Sequence, residues 1–158
     1  MNQRSWNEDA ALLQELYSAG SLVATLVEAE LRAGGIAPQL FSFLSWVRLL
    51  EPVTPGTLAA ETGIPPTTIR DYLRRLSERG DIARRPNPRD GRSYLVKLTP
   101  RGRRLVDRGA PIVGAVFRRV EPHLPRPAEE YAARARELRQ GLANVAAADE
   151  RSRHVDVT

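Results

Sequence analysis

Leu12, Leu13, Leu16, Val23, Leu26, Val27 and Leu31 recur at helical spacing. They predict a first helix, capped by Asn7 or Asp9, that ends near Ala33 before Gly34-Gly35. Leu40, Phe41, Leu44, Val47 and Leu50 predict a second helix from about Pro38, broken at Glu51-Pro52. Thr54-Pro55 has the form of a cap followed by a first-turn proline, and Gly63 closes the short helix that it opens. From Pro66 to about Gly80, Ile69, Tyr72, Leu73 and Leu76 form a stripe at i, i+3, i+4 and i+7. The opposite face carries Thr67, Thr68, Arg70, Asp71, Arg74, Arg75 and Glu78. Two helices joined by a tight glycine-containing turn are a helix-turn-helix.

The period then changes. Residues 81–85 read as a short strand, Pro86 to Arg92 as a polar turn holding the favoured pair Asp90-Gly91, and Tyr94 to Leu98 as the returning strand. A hairpin directly after the second helix of such a pair is a wing. Thr99-Pro100 repeats the cap and proline and opens a long helix to about Val120, in which Gly109 and Gly114 mark a bend or close packing. Pro122, Pro125 and Pro127 interrupt the chain, and a last helix covers about Ala128 to Ala148. The fold class expected is mainly α with a small β-hairpin. The boundaries are an N-terminal helical arm over 1–36, a winged helix-turn-helix domain over 37–100, C-terminal helices over 101–148 and a frayed tail over 149–158.

Charge singles out the same central region. The 158-residue chain carries +5, yet residues 70–108 alone carry +8, against −4 for residues 1–69 and +1 for residues 109–158. Such a block is the electrostatic footprint of a polyanion partner. Of the 24 basic residues all but Lys97 are arginine, which suits bidentate contacts to phosphate and guanine, although the bias also fits a GC-rich coding sequence.

Other chemistry is sparse. The absence of cysteine excludes disulfides, thiolate metal sites and thiol-based sensing, and His123 and His154 have no ligand-spaced partners. No phosphate-binding glycine loop follows a strand and no nucleophile–histidine arrangement is evident, so neither an enzyme nor a cofactor is expected. The run Leu40 to Val47 is too short to cross a bilayer, and Met1 to Ala10 lacks the apolar core of a secretory signal. A cytoplasmic protein without membrane contact is the expectation.

The stretch Thr54 to Gly102 resembles the MarR family of transcriptional regulators. The resemblance rests on Thr54-Pro55-Gly56-Thr57-Leu58-Ala59, on Gly63-Ile64-Pro65-Pro66-Thr67-Thr68-Ile69 and on Leu76-Ser77-Glu78-Arg79-Gly80. Its most specific piece is Asp90-Gly91-Arg92-Ser93-Tyr94-Leu95-Val96-Lys97-Leu98-Thr99, followed by Thr99-Pro100-Arg101-Gly102 as a Thr-x-x-Gly start to the long helix. Outside residues 54–102 it rests on the order of helices. The resemblance implies a homodimer paired through its N- and C-terminal helices, binding a roughly palindromic double-stranded operator. Half-sites one helical turn apart, ~34–36 Å, let two recognition helices read one DNA face.

On that reading Arg70 reaches a guanine edge, and Thr67 and Thr68 contact base or phosphate. Asp71 either accepts from cytosine N4 or pairs with Arg74 or Arg75, themselves phosphate contacts. Pro65 stands where the family usually carries a polar cap. Arg92 takes the family's minor-groove position, with Asp90 holding its guanidinium, or else braces the hairpin as a local ion pair. Arg84, Arg85 and Arg89 add phosphate contacts, while Arg101, Arg103 and Arg104 read as a solvated helix start. Many relatives bind a phenolic or aromatic acid between the dimer helices and the winged domain. Phe43, Trp46 and Arg48 offer ring walls and an anion partner for such an effector, and the plainer reading is core or dimer contact. Trp6 and Tyr17 are assigned to the dimer interface. The function expected is a repressor released by that ligand. The alternatives are an effector-independent or architectural DNA-binding protein, and a winged-helix module for protein contact.

Overall fold

The computed structural model describes residues 6–155. Its elements follow in the order α1 (Trp6–Ala33), α2 (Pro38–Leu50), α3 (Pro55–Thr62), α4 (Pro66–Glu78), β1 (Ile82–Pro86), β2 (Tyr94–Leu98), α5 (Pro100–Val120), a 3₁₀ turn (Glu121–His123) and α6 (Ala128–Val155). The chain is already helical at Trp6, so Asn7 and Asp9 lie inside α1 rather than capping it. At the other end α6 continues past Ala148, where the apolar pattern fades, to Val155. Residues 156–158 of the expected tail and the side chain of Trp6 lie outside the described residues.

Capping decides most boundaries. The Thr54 hydroxyl accepts from the Thr57 N–H at 3.1 Å and that of Thr99 accepts from Gly102 N–H at 3.2 Å, each followed by a proline that gives up no helical hydrogen bond. Gly63 ends α3 at φ +68°, a left-handed conformation that glycine adopts without steric cost, and so permits the sharp turn into α4. Pro65 gives α4 no side-chain cap. Pro111 lies inside α5 and offers no N–H to the preceding turn, a breaker that the apolar pattern conceals.

α2 runs through the core, burying Phe41, Phe43, Leu44 and Val47. Around it pack Leu31, Leu58, Ile69, Leu73, Leu76, Ile82, Val96, Leu98 and Val106, drawn from α1, α3, α4, both strands and α5. At Gly109, α5 packs directly against the Phe41 ring of α2. A Cβ there would sit 2.3 Å from the Phe41 ring, which accounts for glycine in mid-helix as close packing. Gly114 shows no comparable contact.

The hairpin is antiparallel, with Ile82 opposite Leu98 and Pro86 opposite Tyr94. Val53 adds a bridge to Val96 on its inner edge, a third pairing that the pattern did not announce. The polar turn expected from Pro86 to Arg92 is a longer loop in which Asp90-Gly91 is one part. Gly91 is not at positive φ, and the connection spans residues 87–93, tied by Asp90 N–H to the Asn87 carbonyl and Ser93 N–H to the Asp90 carbonyl.

The apolar faces of the two longest helices find little cover within one chain. Leu12, Leu13, Tyr17, Leu22 and Val23 of α1 are exposed, Tyr17 by 75%, as are Tyr131, Leu142 and Val145 of α6. By length and composition alone the stretch Ala10–Ala33, whose most apolar 18 residues have a mean hydropathy of 1.3, is long and apolar enough to cross a membrane, a more apolar stretch than Leu40 to Val47. Its far end belongs to the globular core, where Leu31 is buried.

Candidate nucleic-acid interface

α4 is strongly amphipathic. Ile69, Leu73 and Leu76 anchor it in the core, so Arg70, Asp71 and Arg74 are turned outward. The wing rises beside them, and the two elements enclose a cleft of about 700 Å³. Arg70, Asp71 and Arg74 line one wall, and Arg84, Asp90, Arg92 and Tyr94 line the other. The Arg84 guanidinium lies 4.9 Å from the Tyr94 ring centroid, so the aromatic face supports the cation at the edge of the cleft.

Among the described residues, Arg70, Arg84 and Arg92 have no ion-pair partner. Three free guanidinium groups around one open cleft form a site for a polyanion. Arg74 is partly neutralised, 3.5 Å from Asp71 and 3.4 Å from Glu78, so Asp71 takes the pairing role weighed for it. Asp90 does not hold the Arg92 guanidinium. Its carboxylate accepts from the Arg92 main-chain N–H at 3.0 Å, which shapes the loop and leaves the side chain free.

Other expected residues fall outside the cleft. Thr67, Thr68 and Arg75 are exposed on α4 but do not line it, and Arg89 stands at the wing tip. Arg85 is turned away. Strand alternation puts Arg84 on the face of Ile82 and Val96 and sends Arg85 to the opposite face with Leu95.

The wing is held by groups that sequence reasoning overlooked. Asp81 is 1% exposed, and its two carboxylate oxygens accept from Arg79 Nε at 2.8 Å and Arg101 Nε at 3.0 Å. Its carbonyl accepts from Thr99 N–H at 3.1 Å, and a Cβ on Gly102 would lie 2.1 Å from that oxygen. The Thr-x-x-Gly start of α5 therefore has a steric cause, because only glycine lets α5 close over the root of the wing. Glu51 joins from α2's end, accepting from Leu98 N–H at 2.8 Å and pairing with Arg103 at 2.6 Å. Arg101 and Arg103, expected as a solvated helix start, are partly exposed and also pair with Asp81 and Glu51. An acid at position 81, adjoining Ile82 and flanked by arginines, was the one available hint.

A second concavity of about 670 Å³ lies between α1, α2 and α4. Phe43 and Trp46 both line it, with Tyr72 stacked on Phe43 at a centroid distance of 5.1 Å. Arg48 does not. Two positions beyond Trp46 it has turned about 200° around the helix, and it pairs with Asp107 at 2.7 Å. The trio of Phe43, Trp46 and Arg48 is corrected to its two aromatic members. Trp46 also carries the Arg139 guanidinium, 5.4 Å from its ring centroid, and Arg139 in turn bonds Glu61 of α3.

A family model described as MarR family matches residues 35–93, the span from the start of α2 to the wing tip. Over 120 residues the chain is 31% identical to the HTH-type transcriptional repressor Rv2887 of Mycobacterium tuberculosis, covering 76% of this chain and 86% of that one. The chain belongs to the MarR family. MarR-family proteins are transcription regulators rather than enzymes. The structure of a mutant MarR from Escherichia coli complexed with operator DNA is similar at TM-score 0.68 and 26% identity, covering 89% of this chain and 99% of that one. That of Rv2887 in complex with p-aminosalicylic acid is similar at TM-score 0.59 and 28% identity, covering 80% and 95%. Both share with this MarR-family chain the winged helical architecture.

Proposed function

We propose that this chain is a sequence-specific repressor that binds a roughly palindromic double-stranded operator as a homodimer and is released by a small aromatic ligand. The observation that carries the reading is the convergence of the unpaired Arg70, Arg84 and Arg92 on one cleft between α4 and the wing. Arg70 reads a base edge in the major groove, Arg92 enters the minor groove, and Arg84, Arg89 and Arg75 neutralise phosphates. Thr67 and Thr68 contact the DNA from the start of α4. Operator DNA bound to MarR and p-aminosalicylic acid bound to Rv2887 support the two halves of the reading.

The exposed apolar faces of α1 and α6 form the dimer interface, which accounts for the hydropathy of Ala10–Ala33 without a membrane. The domain boundaries follow: helical arms over 1–36 and 101–148 flank a reading head over 37–100. A cytoplasmic location accords with that use.

The test is binding of the purified protein to its own upstream DNA and to unrelated DNA as salt is raised, for the wild type and Arg92→Ala. Sequence-preferring binding with a steep salt dependence, weakened by the substitution, is expected. Failure to bind either DNA at low salt would transfer the winged domain to protein contact. Preferential binding that no aromatic ligand reverses would leave an effector-independent regulator.

A further inference from the structure

Arg139 joins an arm helix to the reading head. Among the described residues α6 packs chiefly against α3 of its own chain, and Arg139 stands at that contact, 78 residues away from Glu61 in sequence. Its Nη1 donates to the Glu61 carboxylate and, at 3.2 Å, to the Glu61 main-chain carbonyl, while the guanidinium lies over the Trp46 ring of α2. The side chains of Arg139 and Glu61 are 36% and 28% exposed. A pair this far out of water is screened less than a fully exposed one, and a guanidinium bonded twice and stacked on a ring is held in one orientation.

The position of that contact on α3 gives it leverage. Glu61 lies in the last turn of α3, where main-chain carbonyls lack a partner inside the helix and the helix end favours a cation. Thr62 ends α3, and the turn at residues 63–65 leads straight into α4, which has no side-chain cap of its own. Arg139 therefore holds the end of the helix that aims Thr67, Thr68 and Arg70. It does not line the cleft of Arg70, Arg84 and Arg92, so its route to DNA is the direction of α4.

We propose that Arg139 is a positioning residue for operator recognition. Through Glu61 and Trp46 it braces the α3–α4 turn against α6, and so fixes the separation of the two recognition helices in the dimer. The covalent links from head to arms run through the α1–α2 connection and the start of α5, and Arg139 adds a brace from the other C-terminal helix. A head without the brace still meets phosphates but accepts half-sites at a wrong separation, because one added base pair moves a half-site by ~3.4 Å. This rests on the dimeric operator-binding reading above and names what sets its spacing.

The test compares the full chain with Arg139→Ala, Glu61→Ala and the double variant on the preferred upstream DNA, on the same DNA with one base pair inserted at its dyad, and on unrelated DNA. The respacing penalty is the ratio of the first two affinities, so a change in net charge cancels from it. For Arg139→Ala the expected results are a loss of about three- to tenfold on the preferred DNA and a respacing penalty at least about threefold smaller than in the wild type. Unrelated DNA should be bound within about twofold, at the same salt slope. The double variant should show the penalty of Arg139→Ala, because both side chains act through one contact. Arg139→Lys keeps the charge without the planar fork and should fall between wild type and Arg139→Ala. Equal losses on all DNA with a salt slope lower by roughly 1 would make Arg139 a direct phosphate contact and overturn the proposal. So would an unaltered respacing penalty, or one that shrinks further in the double variant. A second measurement needs no DNA. Peptide-level hydrogen exchange over residues 58–72 should be at least about threefold faster in Arg139→Ala, with the dimer intact by sedimentation. Wild-type exchange there, or dissociation to monomers, would sink the brace. Faster exchange in an intact dimer that binds no DNA would refute the operator reading and leave the brace standing.

Discussion

Asp81 is an acid in the most basic part of the chain, and its removal separates two accounts of DNA binding. Asp81→Ala deletes a carboxylate that accepts two charge-assisted hydrogen bonds, from Arg79 and Arg101. Each such bond contributes roughly 1.5–3 kcal/mol. Against that stands the desolvation of a carboxylate only 1% exposed, which unfolding restores and which costs several kcal/mol. The arginine side chains are 49% and 61% exposed, so they rehydrate when released and leave no buried charge behind. The net loss should therefore be about 2 kcal/mol, below the roughly 3–5 kcal/mol of a stranded buried ion. For a domain of this size that is a fall of about 4–8 °C in melting temperature, compared at one protein concentration because a dimer's stability depends on it. Asp81→Asn keeps the volume and one acceptor and should lose about half as much.

DNA binding supplies the sharper reading. Removing an acid raises the net charge, so a purely electrostatic account has every DNA bound more tightly. If Asp81 positions the root of the wing against α5, unrelated DNA is bound as well or better while preference for the operator falls. Competition between operator and unrelated DNA at fixed salt measures that preference. Unchanged melting temperature and undiminished operator preference in both variants would refute the clamp.

Arg70→Ala should cost about 1–3 kcal/mol of operator binding and relax preference at one base pair, as seen by testing single-base operator variants. Arg75→Ala should instead weaken all DNA alike and reduce the salt slope by roughly 1. Gly109→Ala forces a methyl against the Phe41 ring and should cost about 1–3 kcal/mol in denaturant unfolding. Arg48→Ala breaks an exposed pair with Asp107. It should change stability by less than about 1 kcal/mol in denaturant unfolding.

The winged architecture was legible because it is written in short-range patterns. The stripe of Ile69, Leu73 and Leu76 specifies which face of α4 is buried, and therefore which residues it turns outward. Thr54-Pro55 and Thr99-Pro100 announce helix starts through bonds only three residues long. Strand alternation even contained the separation of Arg84 from Arg85, although the run of basic residues hid it.

What tertiary structure alone decided depends on partners far apart in sequence. Arg48 resembles an anion ligand until the fold brings Asp107 to it from α5. Asp81 resembles one more surface acid until Arg101 and the closing of α5 over Gly102 bury it. Ser45 is unremarkable in sequence, and only packing leaves its hydroxyl without a partner. The exposed faces of α1 and α6 follow the same logic, since apolar periodicity states that a face seeks cover without stating which chain provides it. Periodicity and capping act within a turn or two of the chain and survive in the bare sequence. Burial, charge pairing and cavity chemistry arise when distant segments exclude water together, and the order of residues does not encode them locally.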